Sequence, residues 1–369
     1  MVFDPIKMSR NSRKPVNMFE QFGFETLTPQ QASVIFAAIL GLLFGAIGQH
    51  IQFCFRRGIV GEAHERKSAR GVWFTALATA VLGTQIAVNA EWITFDNHRL
   101  FTSSLPLGAI ALGGLMFGAG MVLTRGCISR LTVLTGTGNT RALIVILVFA
   151  ITAHATLKGV FAPIRTSIGA LTVDLGNTVS FGALPGGNLL WAALITLGAI
   201  SLTYKSGAKP SHLTLAALLG LLVPLGWVGT GFILFDEFDP IAMQSLSFTA
   251  PSADLLFWTI ASTAIPAGFG TGLIGGVVIG AAITALIKGQ FEWQSFEDTP
   301  QTLRYLSGAI LMGIGGVLAG GCTVGAGLAG IPTLSFAAIL ALGFITIGAI
   351  TMRRLLAGGQ SRTAHFAAE

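Results

Sequence analysis

Charge is the scarcest property of this sequence: of 369 residues only 10% are Asp, Glu, Lys or Arg, where an ordinary soluble domain carries about 25%. Too few ionisable side chains remain to cover a water-exposed surface, which excludes a water-soluble globule. Cysteine is sparse too, at three; an odd number without a C-x-x-C pair argues against a disulfide framework and against a zinc site. No G-x-x-x-x-G-K-[ST] loop occurs, so nucleotide hydrolysis by the chain itself is excluded. No H-E-x-x-H helix and no G-x-S-x-G elbow occurs either, which argues against a membrane hydrolase. Strand-type alternation is missing: Ala142 to Ala150 is continuously apolar, whereas a membrane barrel strand must alternate. The net charge of +6 comes with no nucleic-acid motif and reports loops and lipid head groups instead. No metal or cofactor is expected, and no nucleic-acid partner.

What the chain has in abundance is apolar length. Hydrophobic residues make up 52%, and runs of about 20 are what a hydrocarbon core near 30 Å demands of a helix. Apolar windows place spans at 32–53, 71–90, 106–124, 142–162, 187–204, 213–235, 255–287, 303–320 and 333–352. The stretch from Leu255 to Ile287 is too long for one span and contains Pro266, Gly268 and Gly270, so a short re-entrant piece followed by a full helix is expected there. The predicted fold is an all-α integral membrane protein of about nine transmembrane helices. The 48 glycines suit close helix packing or spans that break inside the bilayer. Residues 1–30 carry Lys7, Arg10, Arg13 and Lys14 without an apolar core and read as a polar tail, not a signal peptide.

Basic residues collect in cytoplasmic loops. An N-terminus outside puts Arg56, Arg57, Arg66, Lys67, Arg70, Arg125, Arg130, Arg141, Lys205, Lys209, Lys288, Arg304, Arg353, Arg354 and Arg362 inside, and leaves Arg99, Lys158 and Arg165 outside with the acidic Asp236, Glu237 and Asp239. The basic N-terminal tail conflicts with this orientation.

The sequence repeats itself. Ala37-Ala38-Ile39-Leu40-Gly41-Leu42-Leu43 resembles Ala216-Ala217-Leu218-Leu219-Gly220-Leu221-Leu222, and Gly118, Gly120, Gly126 and Cys127 align with Gly313, Gly315, Gly321 and Cys322. Five crossings separate the copies, so the second enters from the opposite side and the repeat is inverted. The expected organisation is a tail at 1–30, a first repeat with one additional span at 31–204, a second, inverted repeat at 212–352 and a cytoplasmic tail at 353–369.

Each cysteine lies where a span breaks: Gln52-Phe53-Cys54-Phe55-Arg56-Arg57-Gly58, Thr124-Arg125-Gly126-Cys127-Ile128-Ser129-Arg130 and Gly320-Gly321-Cys322-Thr323-Val324-Gly325. A lone cysteine in an apolar helix is usually a small hydrophobe. Three at three breaks, two of them related by the repeat, point instead to a pathway. Glycines before Cys127 and Cys322 and hydroxyls after them, at Ser129 and Thr323, suit a break followed by a short new helix, whose free N–H groups attract anions. Thiols are soft, weak donors, suited to contacting a sulfur-bearing anion without trapping it.

These segments, with Gly136 to Asn139 and the run through Ala326-Gly327-Leu328, resemble the YeeE/YedE family of bacterial sulfur transporters, over about residues 37–352. The resemblance implies an hourglass-shaped inverted repeat in the inner membrane. It also implies inward passage of thiosulfate or a related sulfur anion by successive contacts with Cys54, Cys127 and Cys322, and delivery to a cytoplasmic sulfurtransferase of the sulfur-carrier type. Gly126 and Gly321 join the expected substrate site, followed by Arg57, Arg130, Ser129 and Thr323.

Arg57, Arg125 and Arg130 fit the topology rule as well as an escorting role. His154 and Lys158, one turn apart near a span end, fit snorkelling, and Gln49, His50 and Gln52 are placed to line a vestibule at Cys54. The competing class is a membrane-embedded sulfurtransferase that forms a cysteine persulfide, with Cys54 activated by Arg56 and Arg57.

Overall fold

The computed structural model describes residues 27–366 except Asn97 and Asn177. Most of the N-terminal tail lies outside the described residues, as do the side chains beyond Gly358. The expected nine spans are present among the described residues. The chain begins with α1 (Pro29–His50), the short α2 (Phe55–Val60) and α3 (Ala63–Asn89). It continues through α4 (Leu107–Leu123), the short α5 (Ile128–Gly136), α6 (Thr140–Leu157), the short α7 (Ala162–Gly169) and α8 (Gly187–Tyr204). The second half runs through α9 (Pro210–Val228), extended by a wide turn over Gly229–Ile233, then α10 (Thr249–Ile260), α11 (Phe269–Ile287), α12 (Thr299–Leu318), a wide turn over Thr323–Leu328 and α13 (Phe336–Phe366).

Helix starts follow their side chains. Thr28 and Gln31 cap each other at the head of α1, with Pro29 in the first turn, where a missing N–H costs nothing. Asn139 accepts from the Ala142 N–H at 2.9 Å and starts α6, and Asp298 accepts from the Gln301 N–H at 2.6 Å and starts α12. The re-entrant piece expected from Leu255 begins earlier, at Thr249, and ends before the break that holds Pro266 and Gly268. Twelve residues rise only about 18 Å, too short to cross the bilayer. The expected tail from 353 continues α13 as helix to Phe366.

Packing repeats the internal symmetry. Helix α1 packs on α11 as α9 packs on α3, and α4 packs on α13 as α12 packs on α6, while α4 and α12 pack on each other. The pairing of one half thus matches that of the other, and α8 leans on α3. Matching glycines do matching work. A Cβ on Gly120 would collide with the Gly308 carbonyl of α12, and one on Gly315 with the Gly113 carbonyl of α4. Lipid supplies no hydrophobic drive between helices, so backbone approach of this kind holds the bundle. Large side chains such as Ile39, Ile86, Leu197 and Ile347 stay exposed on the bundle surface, while Phe44, Phe117, Phe149 and Phe248 fill its centre.

Candidate functional site

The three cysteines share one backbone device. Each is the residue immediately before a new short helical segment: Cys54 before α2, Cys127 before α5, Cys322 before the Thr323–Leu328 turn. Two residues ahead of each, the backbone turns left-handed, at Gln52 (φ 52°), Arg125 (φ 55°) and Gly320 (φ 76°). The break and restart expected at Cys127 and Cys322 is therefore present, and the break at Cys54 is followed by a restart as well. Only Gly320 adopts that conformation freely; an ordinary L-residue there costs roughly 1–2 kcal/mol.

Tertiary folding brings two of the breaks together. Cys54 Sγ lies 3.6 Å from Cys127 Sγ, and Cys127 Sγ lies 3.3 Å from Ser129 Oγ. Cys322 is separate from this pair in its bonding: its Sγ accepts the Gly325 N–H at 3.3 Å. All three thiols are buried and unpaired by disulfides, and Cys54 alone keeps 7% exposure.

Of the expected arginines, Arg130 donates to Gln49 Oε1 at 3.0 Å, and Arg57 is held by Glu65 at 2.9 Å and by Gln52 Oε1 at 2.8 Å. Arg56 and Arg130 are close enough to both Cys54 and Cys127 to interact electrostatically, and the Arg56 Nε is buried without a hydrogen-bond partner among the described residues. Thr323 is likewise buried with an unpartnered hydroxyl. Gly126 packs under Leu131, and Gly321 against the backbone of Ala326. His154, away from the thiols, stacks on Phe257 with ring centroids 3.6 Å apart.

Two cavities reach toward the thiols. The smaller, about 260 Å³, is lined by Cys54, His50, Gln52, Arg57, Lys209 and His212; Lys288 Nζ contacts His50 Nδ1 beside it. The larger, about 730 Å³, is lined by Trp92, His98, Arg99, Trp227, Ser247, Asp254 and Gly325, the last bonded to Cys322. They stand at opposite ends of the bundle. The N-terminal part of α3 places Ser68 and Ala69 at the smaller cavity and its far end lies beside Trp92 at the larger; the first turn of α9 places His212 at the smaller and its last turn places Trp227 at the larger.

The expected vestibule residues His50 and Gln52 line the cavity at Cys54, while Gln49 is taken by Arg130. Sequence reading does not find the larger cavity's lining. Its members come from the loop after α3, the end of α9, the segment between α9 and α10, α10 and the turn after Cys322, and no local spacing links them.

The family model for sulphur transport matches residues 50–351. The chain belongs to the sulphur-transport family. It is a multi-pass member of that family, and the matched region contains all three cysteines and both cavities. Its similarity to relatives extends along nearly their whole length. A thiosulfate transporter, TsuA, of Spirochaeta thermophila is 26% identical over 351 residues, covering 86% of this chain and 97% of that protein. The TsuA thiosulfate transporter of Escherichia coli is 24% identical over 365 residues, covering 90% and 97%.

Proposed function

We propose that this sulphur-transport protein is a permease of the bacterial inner membrane that takes up thiosulfate, or a related small sulfur-containing anion, through a relay of the thiols of Cys322, Cys127 and Cys54. The observation that carries the reading is the 3.6 Å contact of Cys54 with Cys127, flanked by a cavity at Cys54 and, at the other end, by a cavity that reaches the cap of Cys322. Basic loops make the Cys54 end cytoplasmic. The anion enters the larger cavity, meets Cys322, passes to Cys127 and leaves past Cys54 into the smaller cavity, where His50, Arg57, Lys209 and His212 receive it. Each thiol is a weak donor, and several weak sites in series let the ion enter and leave. The two repeats, 31–204 and 212–352, close the path between them. A cytoplasmic sulfurtransferase of the sulfur-carrier type takes the delivered sulfur.

Support for transport over persulfide chemistry comes from the thiols' partners. Those partners are another thiol, the hydroxyls of Ser129 and Thr249, and backbone groups such as the Gly325 N–H, none of which is a general base of the kind an activated nucleophile needs. Proteoliposomes loaded from outside with thiosulfate labelled on both sulfurs test the reading. Both labels are expected to enter together, and Cys127→Ala or Cys322→Ala to abolish uptake while remaining in the membrane. Unchanged uptake in both variants rules out the relay; retention of only the outer sulfur on the protein establishes the sulfurtransferase instead.

A further inference from the structure

Two thiols held at a fixed separation are a chelating pair. Cys54 Sγ and Cys127 Sγ are 3.6 Å apart, and both belong to braced segments. Phe53 and Phe55, the neighbours of Cys54, are buried and set ring contacts on Phe44 and Trp73, with centroids 6.0 and 4.9 Å apart. The short helix α2 is tied to α3, where Arg70 Nε donates to the Gly58 carbonyl at 2.7 Å. On the other side, Arg130 of α5 donates to Gln49 of α1 at 3.0 Å. A chelate whose arms are already in position loses little freedom when it binds.

The separation selects the kind of centre that fits. With bonds of about 2.3 Å, the zinc–thiolate length, a linear two-coordinate ion sets its sulfurs about 4.6 Å apart, and a tetrahedral or pyramidal centre sets them about 3.5–3.8 Å apart. The observed 3.6 Å belongs to the bent class. Among the described residues no group of three or more His, Cys, Asp or Glu side chains is placed to hold a metal ion, so a tetrahedral cation lacks the further ligands of a structural site.

Charge narrows the choice. Arg56 and Arg130 interact electrostatically with both sulfurs, and Arg57, Lys209 and His212 line the cavity that opens on Cys54. Like charges at short range repel most strongly where water is scarce, which disfavours a free cation at the pair. A neutral, soft, three-coordinate centre that brings its own third ligand fits. Arsenous acid, As(OH)3, is such a centre. The Ser129 hydroxyl, buried and 3.3 Å from Cys127 Sγ, offers a hydrogen-bond partner to the As–OH that remains.

We propose that Cys54 and Cys127 form a dithiol site that captures trivalent arsenic, as arsenous acid, from the smaller cavity. Two As–O bonds break and two As–S bonds form; each thiol proton leaves with a hydroxyl as water, and arsenic stays trivalent, so no oxidant or reductant takes part. Cys54 is the first point of attachment, because it lines the cavity of about 260 Å³ and keeps 7% exposure against 1% for Cys127. Cys322, whose sulfur accepts the Gly325 N–H at 3.3 Å, lies outside the chelate. The binding goes beyond the permease reading and does not rest on it. Its consequence for uptake does: an arsenic bridge over the pair closes the path that the relay uses.

The test uses the full-length protein, in detergent for binding and in proteoliposomes for uptake, with sodium arsenite as the probe. X-ray absorption at arsenic is expected to show two sulfurs and one oxygen around the bound atom, with one arsenic per chain. Cys54→Ser and Cys127→Ser are each expected to bind at least about a hundredfold more weakly, because the second bond of a chelate forms at a high effective concentration, while Cys322→Ser binds like the wild type. The coordination is read on the wild type, so misfolding of a variant leaves the site falsifiable. Uptake of thiosulfate is expected to stop as arsenic binds and to return when a small dimercaptan strips it. Arsenic held by one sulfur or by three, or an affinity unchanged in both Cys54→Ser and Cys127→Ser, overturns the site. Two-sulfur binding with undiminished uptake upholds the site and overturns passage of the anion between Cys54 and Cys127.

Discussion

Cys54 Sγ and Cys127 Sγ, 73 positions apart in the chain, stand 3.6 Å apart in the protein with no side chain between them. Hydrogen peroxide can remove two electrons from such a pair: both thiols lose hydrogen, one S–S bond forms, and the peroxide becomes two waters. Peptide mapping after mild peroxide is expected to find Cys54 joined to Cys127 and Cys322 still a free thiol. Uptake should fall in step with the crosslink and return with a reductant. Oxidation that yields only sulfenic or sulfinic acids on separate cysteines contradicts the contact.

The two cavities predict an order of labelling. A membrane-impermeant thiol reagent added from outside is expected to modify Cys322 first, and bound thiosulfate to protect it. Cys54, at the smaller cavity, should react only from the cytoplasmic side. Faster labelling of Cys54 from outside reverses the proposed direction.

Orientation has its own check. A reporter fused after Arg354 is expected to read cytoplasm and one near Asp239 periplasm, because basic residues within a short reach of span ends stay inside. A cytoplasmic Asp239 breaks the inverted arrangement.

The left-handed residues before the cysteines carry opposite expectations. Arg125 is exposed with φ 55°, so Arg125→Gly relieves strain and is expected to stabilise the protein by up to about 1 kcal/mol. Gly320→Ala, at φ 76° with open space around it, imposes the same strain and is expected to destabilise by about 1 kcal/mol. Thermal unfolding in detergent measures both; equal shifts in one direction exclude strain as the cause.

The symmetric glycines give a further comparison. Gly118→Val and Gly313→Val each drive a side chain into a neighbouring helix, at Ile345 and at Phe149 with Thr152. Both are expected to cost on the order of 1–3 kcal/mol, lowering the folded yield in detergent. Tolerance at one position with collapse at the other means that the halves do not pack alike.

The span count and helical class were legible in the sequence because bilayer thickness acts directly on the number of consecutive apolar residues, and a backbone in lipid must bond to itself. The three breaks were legible for a similarly local reason: glycine, proline and cysteine mark places where a helix stops and restarts, as at Gly320-Gly321-Cys322. What only the tertiary structure decided is adjacency. Nothing in the sequence places Cys54 rather than Cys322 against Cys127, gives Gln49 to Arg130, or brings Arg99 from the α3–α4 loop into one cavity with Ser247 and Gly325. Those meetings depend on how helices far apart in the chain approach one another. Periodicity reports which residues a helix buries, and the neighbour that buries them is set by backbone-to-backbone packing between segments far apart in the chain.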